Sequence, residues 1–122
     1  MKGNLIKDKS ILLAIRIIKL SKYIQETKNE FILTKQLIRS GTSIGANIHE
    51  GDFAESKADF IHKLSIAQKE CSETLYWIEL LKETSYLNTM EYDSIYNDSI
   101  EVMKLLTSIL KTAKKNLYNN GK

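Results

Sequence analysis

Two histidines and one cysteine are the groups in this 122-residue chain best suited to acid–base, nucleophilic or metal chemistry, and their spacing limits what they can do. Asp59 and His62 stand three apart, the carboxylate–histidine spacing with which four-helix bundles hold dinuclear metal sites. Such a site needs a second copy of the pair and two further glutamates, and the chain has no second copy. His49 beside Glu50 offers a ligand or a general base, because imidazole titrates near neutrality. The competing reading is a solvated or hydrogen-bonded residue at a helix end. Cys71 has no histidine on its own periodic seam and reads as a small buried apolar residue rather than a nucleophile. A Ser-His-Asp arrangement and a phosphate-cradling glycine loop are both missing. The residues therefore imply no catalytic group, no cofactor and no metal.

Two polar sets remain. Arg39, Asn47 and Glu50 lie eight and three apart, which puts them within one side of a helix. They suit a polar network that fixes helix register or a subunit contact, and Arg39 could alternatively meet a phosphate. The structural reading is preferred. Lys104, Lys111, Lys114 and Lys115 gather towards the end of the chain as a candidate nucleic-acid surface, which copies in an oligomer would multiply into avidity. The alternative is a solvated helix face.

The elements that must position these groups are helices. Between residues 33 and 51 the sequence LTKQLIRSGTSIGANIHEG carries Leu33, Leu37, Ile44 and Ile48 on one face. Ser40, Gly41, Ser43, Gly45 and Ala46 leave little side chain, so a neighbouring backbone can approach or the helix can bend. Upstream, Leu13, Ile17, Leu20 and Ile24 form one stripe and Ile11, Ile15 and Ile18 a nearly opposite one. A helix apolar on two sides must be covered on two sides, which favours a subunit interface over a wide core-facing stripe. Downstream, Phe60, Leu64, Ala67, Cys71, Thr74, Ile78 and Leu81 repeat at steps of four and three, a bundle seam. Leu75 and Trp77 fall off that seam and form a second candidate interface. The last stripe is Ile95, Val102, Leu106, Ile109 and Ala113, with Met103 and Leu110 alongside.

Capping signals bound the helices. Thr27 with Glu30, Ser56 with Asp59, and Asn88 with Glu91 each fit a capping box, with Asn29 an alternative cap for the second helix. Gly51 suits the left-handed conformation that closes many helices. The expected helices span about 9–26, 30–51, 56–85 and 89–117 in one domain covering 1–122. Short connections make an antiparallel, up-down-up-down four-helix bundle the expected all-α topology.

Composition agrees with this and says little of activity. Proline is absent and 43% of residues are hydrophobic. The excess of 18 Lys and Arg over 15 Asp and Glu gives a charge of +3, compatible with weak attraction to nucleic acid. A lone cysteine excludes an intramolecular disulfide, and the start of the chain shows no leader pattern, so a cytoplasmic setting is expected. The apolar run from Ile11 to Leu20 contains Arg16 and Lys19 and is too short for a bilayer, which needs about 20 apolar residues.

The series Leu33, Thr34, Gln36, Leu37, Arg39, Ser43, Ile44, Asn47, Ile48, Glu50 and Gly51, followed by FIHKLSIAQKECSETLYWIELL, resembles the proteins encoded in intervening sequences of bacterial 23S rRNA genes. The likeness extends over most of the chain. Gly45 stands where that family often has proline, and His49 where it often has alanine. The resemblance implies a left-handed four-helix bundle, a homopentamer, no catalytic activity, and a kinship with accessory proteins of diversity-generating retroelements that bind a reverse transcriptase and nucleic acid. Expected from all of this is a non-enzymatic, homo-oligomeric binding or scaffold module. Its candidate partners are RNA or a nucleic-acid-processing protein, and no membrane. The rivals are a structural interaction protein without a nucleic-acid role and, more remotely, a metal-binding bundle enzyme.

Overall fold

The computed structural model describes residues 2–120, and side chains from 5 to 119. Those residues form four helices: α1 (Lys2–Lys28), α2 (Ile32–Gly51), α3 (Lys57–Glu83) and α4 (Thr89–Asn120). The sequence of α4 runs out into a polar tail from Asn119 to Lys122, which lies partly outside the described residues. α1 begins earlier than the periodicity suggested. Ile6 is buried in the core and anchors the polar first turns that conceal this helix in the sequence.

Each helix end has a local cause. Asn29 closes α1 in the left-handed region, φ 53°, a conformation asparagine tolerates, and its N–H reaches the Gln25 carbonyl at 3.1 Å. The expected Thr27–Glu30 box does not form. Thr27 donates to the Tyr23 carbonyl instead, and the Glu30 carboxylate accepts from three successive donors, the N–H groups of Ile32, Leu33 and Thr34, at 2.8 Å each. Those are orphan donors of the α2 N-terminus, where the helix dipole also favours negative charge. Ser56 caps α3 by accepting from Asp59 N–H at 3.0 Å, and Asp59 returns the bond to Glu55 N–H. Asn88 and Glu91 form the expected reciprocal box.

The turn after α3 is a Schellman motif built on serine. Ser85 holds φ 70°, its N–H reaches the Lys82 carbonyl at 3.0 Å, and Tyr86 N–H reaches the Leu81 carbonyl at 2.8 Å. Gly51 corrects the opposite expectation, because none of the described glycines has positive φ and Gly51 is the last helical residue of α2. Its missing side chain serves packing: a Cβ there would stand 2.9 Å from Leu64 Cδ1.

Cross-helix contacts fix the arrangement. Lys7 pairs with Asp52 while Gln25 bonds Thr34, so α2 runs back along α1. Glu50 pairs with Lys63 and Arg39 with Glu70, which reverses α3 against α2. Gln68 bonds Thr107 and Cys71 reaches Ser99, which reverses α4. Lys9 with Glu101, and Arg16 with Asp98, close the square between α4 and α1. Among the described residues the backbone of α1 comes close only to α2 and α4, and that of α3 to the same two, with no close backbone approach across the diagonals. The result is an antiparallel up-down-up-down bundle.

The core follows the four stripes. Leu13, Ile17, Ile24, Leu37, Ile44, Leu64, Ile78, Leu81, Ile95 and Leu106 are all essentially inaccessible to solvent. The α1–α2 and α2–α3 contacts owe their closeness to small residues. A Cβ on Gly41 would lie 2.6 Å from Ile17 Cδ1, and one on Gly45 would lie 3.2 Å from Ser10 Oγ. Ser40 of α2 and Thr74 of α3 bury their hydroxyl oxygens 3.0 Å apart. Thr74 also donates to the Glu70 carbonyl at 2.8 Å, so this polar layer is satisfied without water.

Candidate nucleic-acid interface and assembly face

Lys104, Lys111, Lys114 and Lys115 are all exposed on α4. Their helix is held by its apolar stripe, Val102, Leu106 and Leu110 being buried, so the lysines on the remaining surface must face water. Glu101 is the last acidic residue of the chain, and Lys9 of α1 occupies it in an ion pair. From Val102 to Lys122 there is no acidic side chain at all, while five lysines fall in that stretch. Charge segregation along α4 was thus readable as a run without acid, a stronger signal than the lysines alone. None of the four described lysines sits in an ion pair, whereas Lys7, Lys9, Arg16, Arg39 and Lys63 all do. The terminal half of α4 therefore carries cationic charge that no acidic side chain among the described residues neutralises. Such a surface attracts phosphate with a strength that falls as salt rises.

The second face lies on α1. Ile11 is 57% exposed, Leu12 60% and Ile15 42%, with Leu5 also exposed and Ile18 half-buried. Sequence reasoning singled out Ile11, Ile15 and Ile18 and missed Leu5 and Leu12, which border the same side of the helix at 100° per residue. Contiguous large aliphatic groups on one outward helix face are unusual for a soluble monomer. On α3, Leu75 and Trp77 are only half-buried. Trp77 packs against the core, stands edge-on to Tyr76 with ring centroids 4.9 Å apart, and donates its indole N–H to Glu73 at 2.9 Å.

The α2 residues separate. Arg39 donates to Gln36 on its own helix and pairs with Glu70 and Glu73 on α3. Glu50 pairs with Lys63 at 3.1 Å, further along the same α2–α3 seam. Asn47 donates to the Ser43 carbonyl at 2.8 Å and reaches neither of them. Arg39 and Glu50 thus pin the register of α2 on α3 at two points, and no three-residue network exists. Both pairs are substantially exposed, which limits each to a contribution of about 1 kcal/mol or less. Gly41, Gly45 and Gly51 do the closer work by letting α1 and α3 approach.

The remaining titratable groups show little sign of chemistry. Cys71 is fully buried with its sulfur 3.5 Å from the Ser99 carbonyl, and burial pushes its thiol up to about 12, so thiolate is suppressed at neutral pH. Tyr92 is raised to about 12 by burial and by donating its hydroxyl to Glu79. Burial of Glu30 would raise its carboxyl, but the three N–H bonds outweigh it and hold the group below its ordinary value. His49 stands tilted against exposed Phe53, ring centroids 5.8 Å apart at 60°, and Asp59 is spent on the α3 cap. Among the described residues no three His, Cys, Asp or Glu side chains converge, and no helix is long and apolar enough to cross a membrane.

Fold and surfaces together define an all-α four-helix bundle whose distinguishing features are contact surfaces: a glycine-lined α2, an apolar outer α1 and an acid-free end of α4. The chain belongs to the 23S rRNA-intervening sequence protein family, whose sequence pattern matches residues 2–108. A crystal structure of a protein of unknown function from the S23 ribosomal protein family of Bacteroides thetaiotaomicron VPI-5482 superposes with a TM-score of 0.89. The two are 55% identical, over 91% of this chain and 99% of that one. Comparison with curated proteins finds no match. Lys111, Lys114 and Lys115 lie beyond the stretch that matches the family pattern, while Lys104 and the whole of α1 to α3 from Lys2 onward lie within it.

Proposed function

We propose that this protein is a non-enzymatic, self-associating bundle that binds RNA through the terminal half of α4. The acid-free, lysine-bearing end of that helix carries the reading, because unpaired lysines on a rigid rod are the electrostatic footprint of phosphate binding. Self-association supplies what one protomer lacks. A single patch of four lysines binds weakly, and repetition around a homo-oligomer, five copies by family resemblance, converts it into avidity. The apolar outer face of α1 supports that assembly. The sealed thiol of Cys71 and the structural use of Asp59 support a role without catalysis, and a cytoplasmic setting is where RNA would be met.

Fluorescence anisotropy with a labelled single-stranded RNA across a salt series tests the proposal. Affinity should fall steeply as salt rises from about 50 to about 200 mM, and replacing Lys111, Lys114 and Lys115 by glutamine should flatten the log–log slope by about 0.7 for each phosphate no longer neutralised. Absence of binding at low salt overturns the RNA reading. The exposed aliphatic face of α1 then favours the second reading, a structural interaction module with no nucleic-acid partner.

A further inference from the structure

The four apolar stripes do not close completely at the end of the bundle where α1 and α3 begin and α2 and α4 finish. A slot of about 240 Å³ opens there between Ile6, Ile48, Phe60, Leu64 and Ile109, with walls from all four helices. Ile6, Ile48 and Leu64 belong to the buried core and Phe60 and Ile109 pack against it, so the slot is a gap in the core's own packing rather than a fold of the outer surface. Its polar side chains are Lys7 and Asp52, which are joined in an ion pair and partly exposed, at the slot's mouth. Two other depressions differ in kind. The one between α1 and α4 measures only about 80 Å³ and is bordered by the paired Lys9, Asp98 and Glu101. The one at the opposite end of the bundle is lined mostly by polar residues, among them Lys28, Lys82, Asn88 and Glu91.

We propose that the slot binds an uncharged, hydroxyl-bearing hydrocarbon of about eight carbons, its apolar body between Ile6, Ile48, Leu64 and Ile109 and its hydroxyl on the Lys7–Asp52 pair. Size sets the body. An apolar cavity of about 150 Å³ accepts benzene, and in proportion a slot of about 240 Å³ takes roughly nine or ten non-hydrogen atoms. Apolar walls with a few convergent polar groups, between the helices of a bundle, are a common form of small-molecule site. Charge decides the head group. Lys7 and Asp52 cancel, so the slot offers no net charge to attract an ion. An anion would have to compete with Asp52 for the ammonium, and a cation with Lys7 for the carboxylate. Either would bring an unbalanced charge against apolar walls, where it is costly. A hydroxyl avoids both costs, because it accepts and donates at once. The ammonium has donors beyond the one it gives Asp52, and the carboxylate has lone pairs beyond those it gives Lys7, so one hydroxyl accepts from the first and donates to the second with the ion pair intact.

The full chain titrated with 1-butanol, 1-hexanol and 1-octanol provides the test, read by calorimetry and by the methyl NMR shifts of Ile6, Ile48, Leu64 and Ile109. Affinity should tighten about fourfold per added methylene, and octanol should raise the melting temperature, because the unfolded chain has no slot to bind it. Octanoate and octylammonium should each bind the wild type at least tenfold more weakly than octanol. Splitting the ion pair should then switch the preference: Asp52→Asn, which leaves Lys7 uncompensated, towards octanoate, and Lys7→Gln, which leaves Asp52 uncompensated, towards octylammonium. Ile109→Trp, which fills the slot from a half-buried position, should abolish octanol binding with the helical circular dichroism retained. The charge variants decide the matter even where the tryptophan variant does not fold. The proposal is overturned by the absence of saturable binding up to the solubility of octanol, or by either charged analogue binding the wild type as tightly. It is equally overturned by shifts centred on Ile11 and Ile15 of the outer α1 face, or by a preference unchanged in both charge variants. RNA binding is read separately, so either reading can fail without the other.

Discussion

Ile17 occupies the space that a side chain at position 41 would need. A Cβ on Gly41 would stand 2.6 Å from Ile17 Cδ1 and 3.0 Å from its Cγ2, and Ile17 is completely buried, with no solvent to swing into. Alanine at 41 would gain about 1 kcal/mol of helix propensity. Overpacking a rigid core costs about 1–3 kcal/mol. With two contacts at or below 3.0 Å the cost prevails, and Gly41→Ala should lower stability by up to about 2 kcal/mol in denaturant titration. In an Ile17→Val background, which removes Cδ1, the same substitution should cost less. Equal losses in both backgrounds would place the strain elsewhere.

Ser85 presents the reverse case. It holds φ 70° at the left-handed position of the Schellman turn, where a Cβ is penalised and glycine is free of the penalty. Ser85→Gly should stabilise the protein by about 1 kcal/mol and raise its melting temperature by a few degrees. The side chain is exposed, and the turn is held by backbone hydrogen bonds that glycine keeps. A lowered melting temperature would show that freedom gained by the unfolded chain outweighs the relieved strain.

Glu30 should make stability depend on pH in the acid range. Its carboxylate accepts three N–H bonds at the start of α2, and its folded-state value lies below the ordinary 4.5. A group depressed on folding contributes stability that is fully present above its unfolded value and is lost as pH falls through the folded one. Glu30→Gln should therefore cost about 1–2 kcal/mol at pH 7, the scale of a missing helix cap. The difference from wild type should shrink below about pH 4. Chemical denaturation of both proteins at pH 7 and pH 3 measures it, and a pH-independent difference would mean that the charge is irrelevant to the cap.

Glu30 also shows where sequence reading stopped. The four apolar stripes were legible because a 3.6-residue period depends only on local spacing, and every seam residue from Leu64 to Leu81 named for α3 is buried. The caps at Ser56–Asp59 and Asn88–Glu91 were legible for the same reason, since each rests on a contact three residues long, reciprocal at Asn88–Glu91 and shared with Glu55 N–H at Ser56–Asp59. Thr27–Glu30 has the same spacing, but Asn29 turned the chain and aimed the carboxylate forward, which spacing cannot reveal. Gly51 could equally have been a left-handed stop or a close contact, and only the approach of Leu64 decides. Ion pairing was invisible as well. Lys9 and Lys104 look alike in the sequence, and the fold alone gives one of them Glu101 as a partner. That difference separates a neutralised lysine from one available to phosphate.

The outward face of α1 carries the strongest expectation about assembly. Ile11, Leu12 and Ile15 lie exposed within two turns of one another, yet the inner face of the same helix already satisfies the core through Leu13 and Ile17. A protomer therefore gains nothing from those aliphatic groups, while an interface gains about 25 cal/mol for each Å² of apolar surface it hides. Ile11→Lys combined with Ile15→Lys should leave the helical circular dichroism unchanged, because neither residue contributes to the core cluster. Light scattering should show the mass falling to that of a 14.0 kDa protomer. RNA affinity should fall with it, since avidity vanishes when the patches are no longer linked. Retained high mass in the double variant would move the seam to the half-buried Leu75 and Trp77 on α3, where Trp77→Ala would be the corresponding test.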